Sequence, residues 1–392
     1  MLETQKTASI EPPAAPHLDP QDYSLSNPDD ILTPSLVVYP DWIQANIDRA
    51  IAWAGGEPNR LRPHAKTHKT AEVTRLQAER GITKHKCATL VEADLLARNG
   101  ARDILLAYPM VGPNIGRFKD LVARYSGRVQ FQVLVDHAGA AENLSAILSR
   151  ESLQVSVLVD LDAGMGRTGV PLGRPAGALA ERIARLPGLR LGGLHLYDGD
   201  VDSPSPAQRL ERVTAEYAAL REQASAIESA GLPVERLVVA GTGTFAAWLH
   251  VAREEPRLEA SPGTFVYSDW NYHTRFADLG MVPAAVLFTR VISRPRAGRF
   301  TCDLGHKAVA ADPLKEDRVH FLDLPGATFV RQNEEHLVMD TPLADALSPG
   351  DLLLALPYHI CPTCALHRDV YVAQHGRVTG QWQVAARDRS WS

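Results

Sequence analysis

Strand and helix alternate without interruption over residues 61–268, and that alternation limits the folds open to this chain. Apolar runs recur at 61–66, 84–89, 103–108, 129–136, 155–162, 189–197, 237–242 and 264–268, with helical periodicity between them at 70–79, 90–98, 138–148, 175–185 and 206–230. Such a pattern predicts parallel strands joined by right-handed crossovers. Eight units fit a closed (β/α)8 barrel of the TIM type, with an open doubly wound sheet as the rival. The strand ends favour the barrel. Lys66, Thr89, Asp162, Tyr197, the Gly241-Thr242-Gly243-Thr244 run and Tyr267 would meet at one rim, where barrels keep their chemistry.

The flanks read differently. Residues 1–30 are rich in Pro, Ser, Asp and Gln and predict an N-terminal tail, mobile in its first part. A strand follows at 33–39, and Asp41 opens an amphipathic helix with Trp42, Ile43, Ile47 and Ile51 on one face. The barrel is expected over 58–280. Beyond it, short strands at 286–292, 299–303, 327–331, 336–339, 352–357, 369–373 and 380–385, parted by Gly and Pro, predict a mainly β C-terminal domain over 281–392.

Charge and cysteine usage narrow the function classes. Lys and Arg number 41 against 46 Asp and Glu, a net charge of -5 that offers no general attraction to nucleic acid or anionic membrane. No apolar run approaches the roughly 18 residues needed to cross a bilayer, and the N-terminus lacks a basic start and an apolar core. A cytoplasmic protein with a small-molecule partner is expected. Four cysteines are too few for a disulfide framework, and two of them, Cys361 and Cys364, stand beside His359.

Three constellations carry chemistry. Residues 62–69 read Arg-Pro-His-Ala-Lys-Thr-His-Lys. A lysine crowded by cations and partly out of water has its ammonium disfavoured, which makes Lys66 a candidate Schiff-base nucleophile; a solvated basic loop is the plain alternative. In His359-Ile-Cys-Pro-Thr-Cys364, extended backbone would turn His359 and Cys361 to one side, an imidazole and a thiolate suited to zinc. A redox pair, or a structural site completed by His367, are the other readings. The loop 160–169, with three glycines, lets Arg167 fold over the rim toward an anion, or leaves it as a surface arginine on a turn. The 241–244 run suits a phosphate at a helix N-terminus, though such a run is more often only a turn.

On these motifs the chain resembles the fold-type III pyridoxal phosphate enzymes, and among them the family of D-threonine aldolase and D-serine dehydratase. The resemblance runs from residue 33 to the C-terminus. It implies that Lys66 carries the cofactor, with His64 in the same segment. Arg167 would stand near the ring substituents, Tyr197 against the pyridine face, and Thr242, Gly243 and Thr244 at the phosphate. It also implies that 262–264 with Asp269 and Tyr267 close the barrel beside the cofactor, and that His359 and Cys361 bind a divalent metal, zinc first, with manganese or magnesium as alternatives. Segments 303–307 and 334–336 match further family stretches. In such proteins the strand and helix at 31–57 pack with the β domain, and the chain forms a homodimer.

Two departures matter. The family's aldolases are similar to one another in a His-any-Asp metal pair, whereas the dehydratases have His-any-Cys, as here. Asp198-Gly199-Asp200 stands where relatives often carry a histidine near the substrate hydroxyl. The resemblance therefore implies a metal-dependent lyase on D-3-hydroxy amino acids, with dehydration to a 2-oxo acid and ammonia ahead of cleavage to glycine and an aldehyde. A non-catalytic pyridoxal phosphate carrier is the reading of another class, and it has no use for the metal-bearing domain.

Overall fold

The structure, a computed structural model, describes residues 17–389. Seven parallel strands form a continuous curved sheet in the order Lys84–Cys87, Asp103–Leu106, Gln130–Val135, Val155–Asp162, Leu189–Leu196, Arg236–Val239 and Leu258–Ala260. Helices cover the outer face and side chains fill the inner one, so Val155 to Leu161 are buried without alternation. That double burial is why these strands read as unbroken apolar runs.

The eighth stave is residues 61–66. Leu61 bridges Ala260 on one side and His64 bridges Lys86 on the other, both parallel. Arg62 N donates to Ala260 O at 2.8 Å and Ala65 N to Lys86 O at 2.9 Å, which closes the ring. Pro63 has no amide to give, so the stave makes bridges and no ladder. One expectation is corrected here. Residues 264–268 are not the last strand; Thr264–Val266 is a turn of 3-10 helix, and the last strand is Leu258–Ala260. Three residues centred on a glutamate are too short and too polar to read as a strand, and Pro262-Gly263 ends it at once.

That glutamate belongs to the barrel floor. Arg62, with 0% exposure, donates from Nε to Glu259 Oε2 at 2.6 Å and from Nη1 to Asp103 Oδ1 at 2.7 Å. Lys84 also reaches Glu259, at 2.7 Å. The paired cations hold both carboxylates below their usual range against the opposing effect of burial.

A nine-stranded sheet stands beside the barrel. Its strand Ser35–Val38 pairs antiparallel with Ala285–Arg296 and parallel with Asp369–Gln374. Val319–Phe321 is a strand that periodicity missed. A second correction concerns 359–364. After the strand Leu352–Pro357 the chain does not stay extended: Ile360–Leu366 is a helix with His359 at its N-cap. The Asp269 carboxylate explains it, accepting from Ile360 N at 3.1 Å while its other oxygen accepts from Tyr272 N at 2.9 Å. One barrel residue thereby caps two helices.

Of the expected tail, residues 1–16 lie outside the described residues. The remainder is packed: the Tyr23 hydroxyl donates to Pro283 O at 2.8 Å, and its ring meets Tyr39 edge-on. Among the described residues no helix is long and apolar enough to cross a membrane.

Candidate active site

A cavity of about 350 Å³ opens at the C-terminal rim, between the barrel and the edge of the large sheet. The barrel contributes His64, Lys66, Lys86, Tyr197, Gly241, Thr242, Ser261, Gly263, Thr264, Asn271 and Tyr272; the far side contributes Asp312, Pro313, Tyr358 and His359.

At the wall of this cavity Lys66 meets Cys361, a buried residue from the other half of the chain, with Nζ 3.6 Å from Sγ. The Cys361 thiolate, outweighing desolvation, holds the Lys66 pKa above its ordinary value. The expected depression of Lys66 is therefore not met. It falls instead on Lys86, which burial and the neighbouring Lys66 bring down to about 7. His64 is buried and hydrogen-bonded through Nδ1 to Lys66 N at 3.2 Å; burial and the two lysines keep it neutral.

Tyr197 forms one wall, with the Arg167 guanidinium 4.8 Å from its ring centroid. A Cβ on Gly241 would stand 3.1 Å from that ring, and one on Gly263 would stand 3.2 Å from His64 Cβ, so both glycines keep the walls apart. Thr242 Oγ1 accepts from Gly263 N and Thr264 N, both at 3.0 Å, and clasps the two rim turns together. Asp198 anchors the first turn, accepting from Gly241 N at 3.1 Å and from Trp248 Nε1 at 2.8 Å. Thr244 stands at the N-cap of the helix Phe245–Val251, its hydroxyl accepting from Gly241 N at 3.3 Å, and Gly243 packs where a Cβ would meet Phe276 at 2.8 Å. Tyr267 is not brought into the cavity. It is fully buried in the core.

At the outer end, His359 Nδ1 is 2.5 Å from Asp312 Oδ2. Burial opposes a charged imidazole, but Cys361 and Asp312 outweigh it and hold His359 at about 9. Burial likewise opposes the Cys361 thiolate, and Lys66 and His359 pull its pKa down to about 5. Thr67 Oγ1 and Thr264 Oγ1 face the sulfur at 3.1 and 3.4 Å. Cys364 points elsewhere, toward His68 O, and burial raises its thiol to about 12. His367 Nε2 bonds Ala308 O at 2.8 Å. These partners fit neither a redox pair nor a structural site with His367. Among the described residues no three His, Cys, Asp or Glu side chains form a metal cage. The donor set is an open pair, His359 and Cys361, with Asp312 orienting the imidazole from behind.

Lys86, His195, Asp160 and Asp312 were not expected from the sequence. A lysine inside Lys84-His-Lys-Cys87 was the available signal, because a charged residue in a buried strand needs a reason. The cavity can thus hold an anion and an aldehyde-bearing group near Lys66 and a cation near Cys361.

Comparison with known proteins follows the same division. The model of the alanine racemase N-terminal domain matches residues 38–269, and that of a putative serine dehydratase domain matches 284–373. A D-threonine aldolase of Arthrobacter sp is 30% identical over 395 residues, covering 98% of each chain. A D-threo-3-hydroxyaspartate dehydratase of Delftia sp. (strain HT23) is 28% identical over 360 residues, 85% of this chain and 92% of that one. A cysteine-to-alanine variant of a D-threo-3-hydroxyaspartate dehydratase, solved in the metal-free form, superposes with a TM-score of 0.79 at 25% identity over 92% of this chain and 98% of that one. The D-threonine aldolase from Filomicrobium marinum superposes with a TM-score of 0.82 at 29% identity, over 91% of this chain and 96% of that one.

Proposed function

The chain belongs to the alanine racemase N-terminal domain family, and from that premise we propose a pyridoxal phosphate-dependent lyase acting on D-3-hydroxy amino acids. One observation carries the reading. Lys66 and His359 line one cavity, and the thiolate of Cys361 stands 3.6 Å from the Lys66 amine, so a group held on Lys66 presents its β-substituent to the His359–Cys361 pair.

The cavity fits the cofactor. Its size is that of a small-molecule site, and Gly241 and Gly263 leave room that a Cβ would fill. Lys66 would hold the aldehyde carbon, Tyr197 the ring face with Arg167 near its substituents, and the 241–244 turn the phosphate. His64 lines the same wall. Pyridoxal phosphate, when bound, supplies the electron sink at Cα. The donor set also fits a divalent cation on His359 Nε2 and Cys361 Sγ, zinc by ligand softness, which would supply Lewis acidity at the β-hydroxyl.

The chain's own groups do the rest. Lys66 Nζ takes and holds the Cα proton, Asp312 keeps His359 Nδ1 protonated so that Nε2 points outward, and Tyr358 and Tyr272 wall the substrate from bulk water. Departure of the β-hydroxyl then leads to a 2-oxo acid and ammonia. Loss of the hydroxyl proton with the Cα proton left in place breaks the Cα–Cβ bond instead, and return of a proton to Cα gives glycine beside the aldehyde, a second reading supported by likeness to a D-threonine aldolase at 30% identity. Cysteine as second ligand favours dehydration. The division of labour we propose places the cofactor on 58–280 and the metal on 281–392. The family resemblance supports a homodimer, and charge and hydropathy support a cytoplasmic location.

Incubation with D-serine and D-threonine, followed by separation of oxo acid from aldehyde, tests the reading. Yellow protein and oxo acid are expected, and Lys66→Ala should lose both. Unchanged colour and turnover in that variant would sink it.

A further inference from the structure

Beneath the cavity lies a second lysine that the proposed function leaves without a task. Lys86 is 2% exposed and lines the same cavity as Lys66. Its Nζ donates to Ser261 Oγ and stands 3.5 Å from His195 Nε2. His195 Nδ1 donates in turn to Asp160 Oδ1 at 2.7 Å, and Thr168 Oγ1 donates to Asp160 Oδ2 at 2.9 Å. The carboxylate fixes the imidazole tautomer, so Nε2 is left as an acceptor for the lysine. An ammonium has three hydrogens. Two are held from behind, and the third is left for the cavity.

The charged neighbours leave the amine without a counter-ion in contact. Lys66 and Arg62 stand on the positive side and Asp160 and Asp198 on the negative, while His64 is neutral. Asp160 is one imidazole away, and Asp198 is committed to Gly241 N and Trp248 Nε1. The Tyr197 ring, 5.7 Å from Nζ at its centroid, offers only its face. Among the described residues no carboxylate touches Lys86. A dry ammonium held toward a cavity without a counter-ion is completed by an anion from that cavity.

We propose that Lys86 is an oxyanion-holding lysine: Nζ, presented by His195 and Asp160, donates to an anionic oxygen of the cavity's occupant. That oxygen belongs either to the cofactor or to the carboxylate of the amino acid. His195 and Asp160 are positioning residues that act through it. The inference rests on the cofactor reading above, and its test separates the two.

Pyridoxine 5'-phosphate, an alcohol that cannot condense with Lys66, is titrated against the apoenzyme, and KM for D-threonine is measured on the loaded enzyme. If the oxygen is the cofactor's, Lys86→Met weakens pyridoxine phosphate at least about tenfold, the scale of a charge-assisted bond. If it is the substrate's, pyridoxine phosphate binds as before and KM rises by a similar factor. Lys86→Gln, which keeps a donor for Ser261 but no charge, gives the same losses and decides the matter should the methionine variant not fold. In the first case an ammonium is lost as pH rises, so wild-type affinity falls from neutral to alkaline pH and Lys86→Gln flattens the slope; His195→Gln, which changes the charge only through Lys86, shifts its midpoint. Wild-type binding with neither quantity moved more than about twofold in either Lys86 variant overturns the proposal alone. No binding of pyridoxine phosphate to wild type overturns both readings.

Discussion

With Cys361 changed to alanine, Lys66 Nζ loses the thiolate 3.6 Å away, and Thr67 and Thr264 lose the atom their hydroxyls face. The fold keeps its other supports there, because Asp269 still caps Ile360–Leu366. Turnover of hydroxy amino acids should therefore fall by about two orders of magnitude or more, as for loss of a metal ligand, with little change in melting temperature. A structural metal would give the opposite pattern, with melting temperature and cofactor lost together on chelation. Cys361→Asp keeps an anionic ligand but exchanges soft sulfur for hard oxygen. It should favour manganese or magnesium and move products from oxo acid toward aldehyde, which metal analysis and product separation would check. At this scale the sequence was most legible for cavity residues that follow strands or sit in glycine turns, as with Lys66 and Gly241. Lys86, His195 and Asp160 lie inside strands. Their convergence depends on the register of the closed barrel, which no local spacing encodes.

Two elements of the rim carry separate expectations. Thr242 ties the 241–244 turn to residues 263 and 264 by accepting two amides, so Thr242→Val strands both. An unpaired buried amide costs about 1–3 kcal/mol. Melting should fall and cofactor affinity with it, as thermal unfolding and cofactor titration would show. The long helix Pro206–Ser229 holds Glu216, whose pKa burial raises to about 7 despite its bond with Arg212. The folded state thus keeps a proton that the unfolded state releases between the ordinary carboxylate value and 7. Stability falls as pH rises through that window, and the deficit is complete above it. Glu216→Gln should gain about 1–2 kcal/mol at pH 8, the 1.4 kcal/mol per unit of pKa being reduced by the solvent that reaches the carboxylate, and next to nothing below about pH 4. Melting curves at the two pH values decide it. Helices and long strands were readable by period; the helix Ile360–Leu366 was not, because its cap comes from Asp269, 91 residues earlier in the chain.

For the molecule as a whole, the barrel is closed at the rim end by backbone bridges and at the floor by Arg62 between Glu259 and Asp103. Arg62→Leu removes the buried cation that the two carboxylates share and leaves Glu259 to Lys84 and Asp103 to Arg236, which costs up to about 3–5 kcal/mol. The variant should unfold at lower denaturant while any folded fraction keeps its cofactor colour, since the floor lies at the far end of the strands from the cavity. The fold class was legible because alternation and handedness admit few solutions. The closing stave was half-legible: of 61–66, residues 61–64 lie along the stave by two isolated bridges and a turn begins at Ala65, whereas Leu258–Ala260 was too short to see.

The strand Ser35–Val38 lies between Ala285–Arg296 and Asp369–Gln374, yet the barrel's first stave begins only at Leu61. The polypeptide therefore leaves the large sheet to build the barrel and then returns to the same sheet, to a strand paired with the one it left. The barrel is held like a lantern on a bail, by two attachment points and not one. A single connection would let the two bodies swing about any axis. With both anchorages on neighbouring strands, the covalent path fixes the barrel along the line through them, and contacts such as that of Asp269 with Ile360 hold Lys66 beside Cys361.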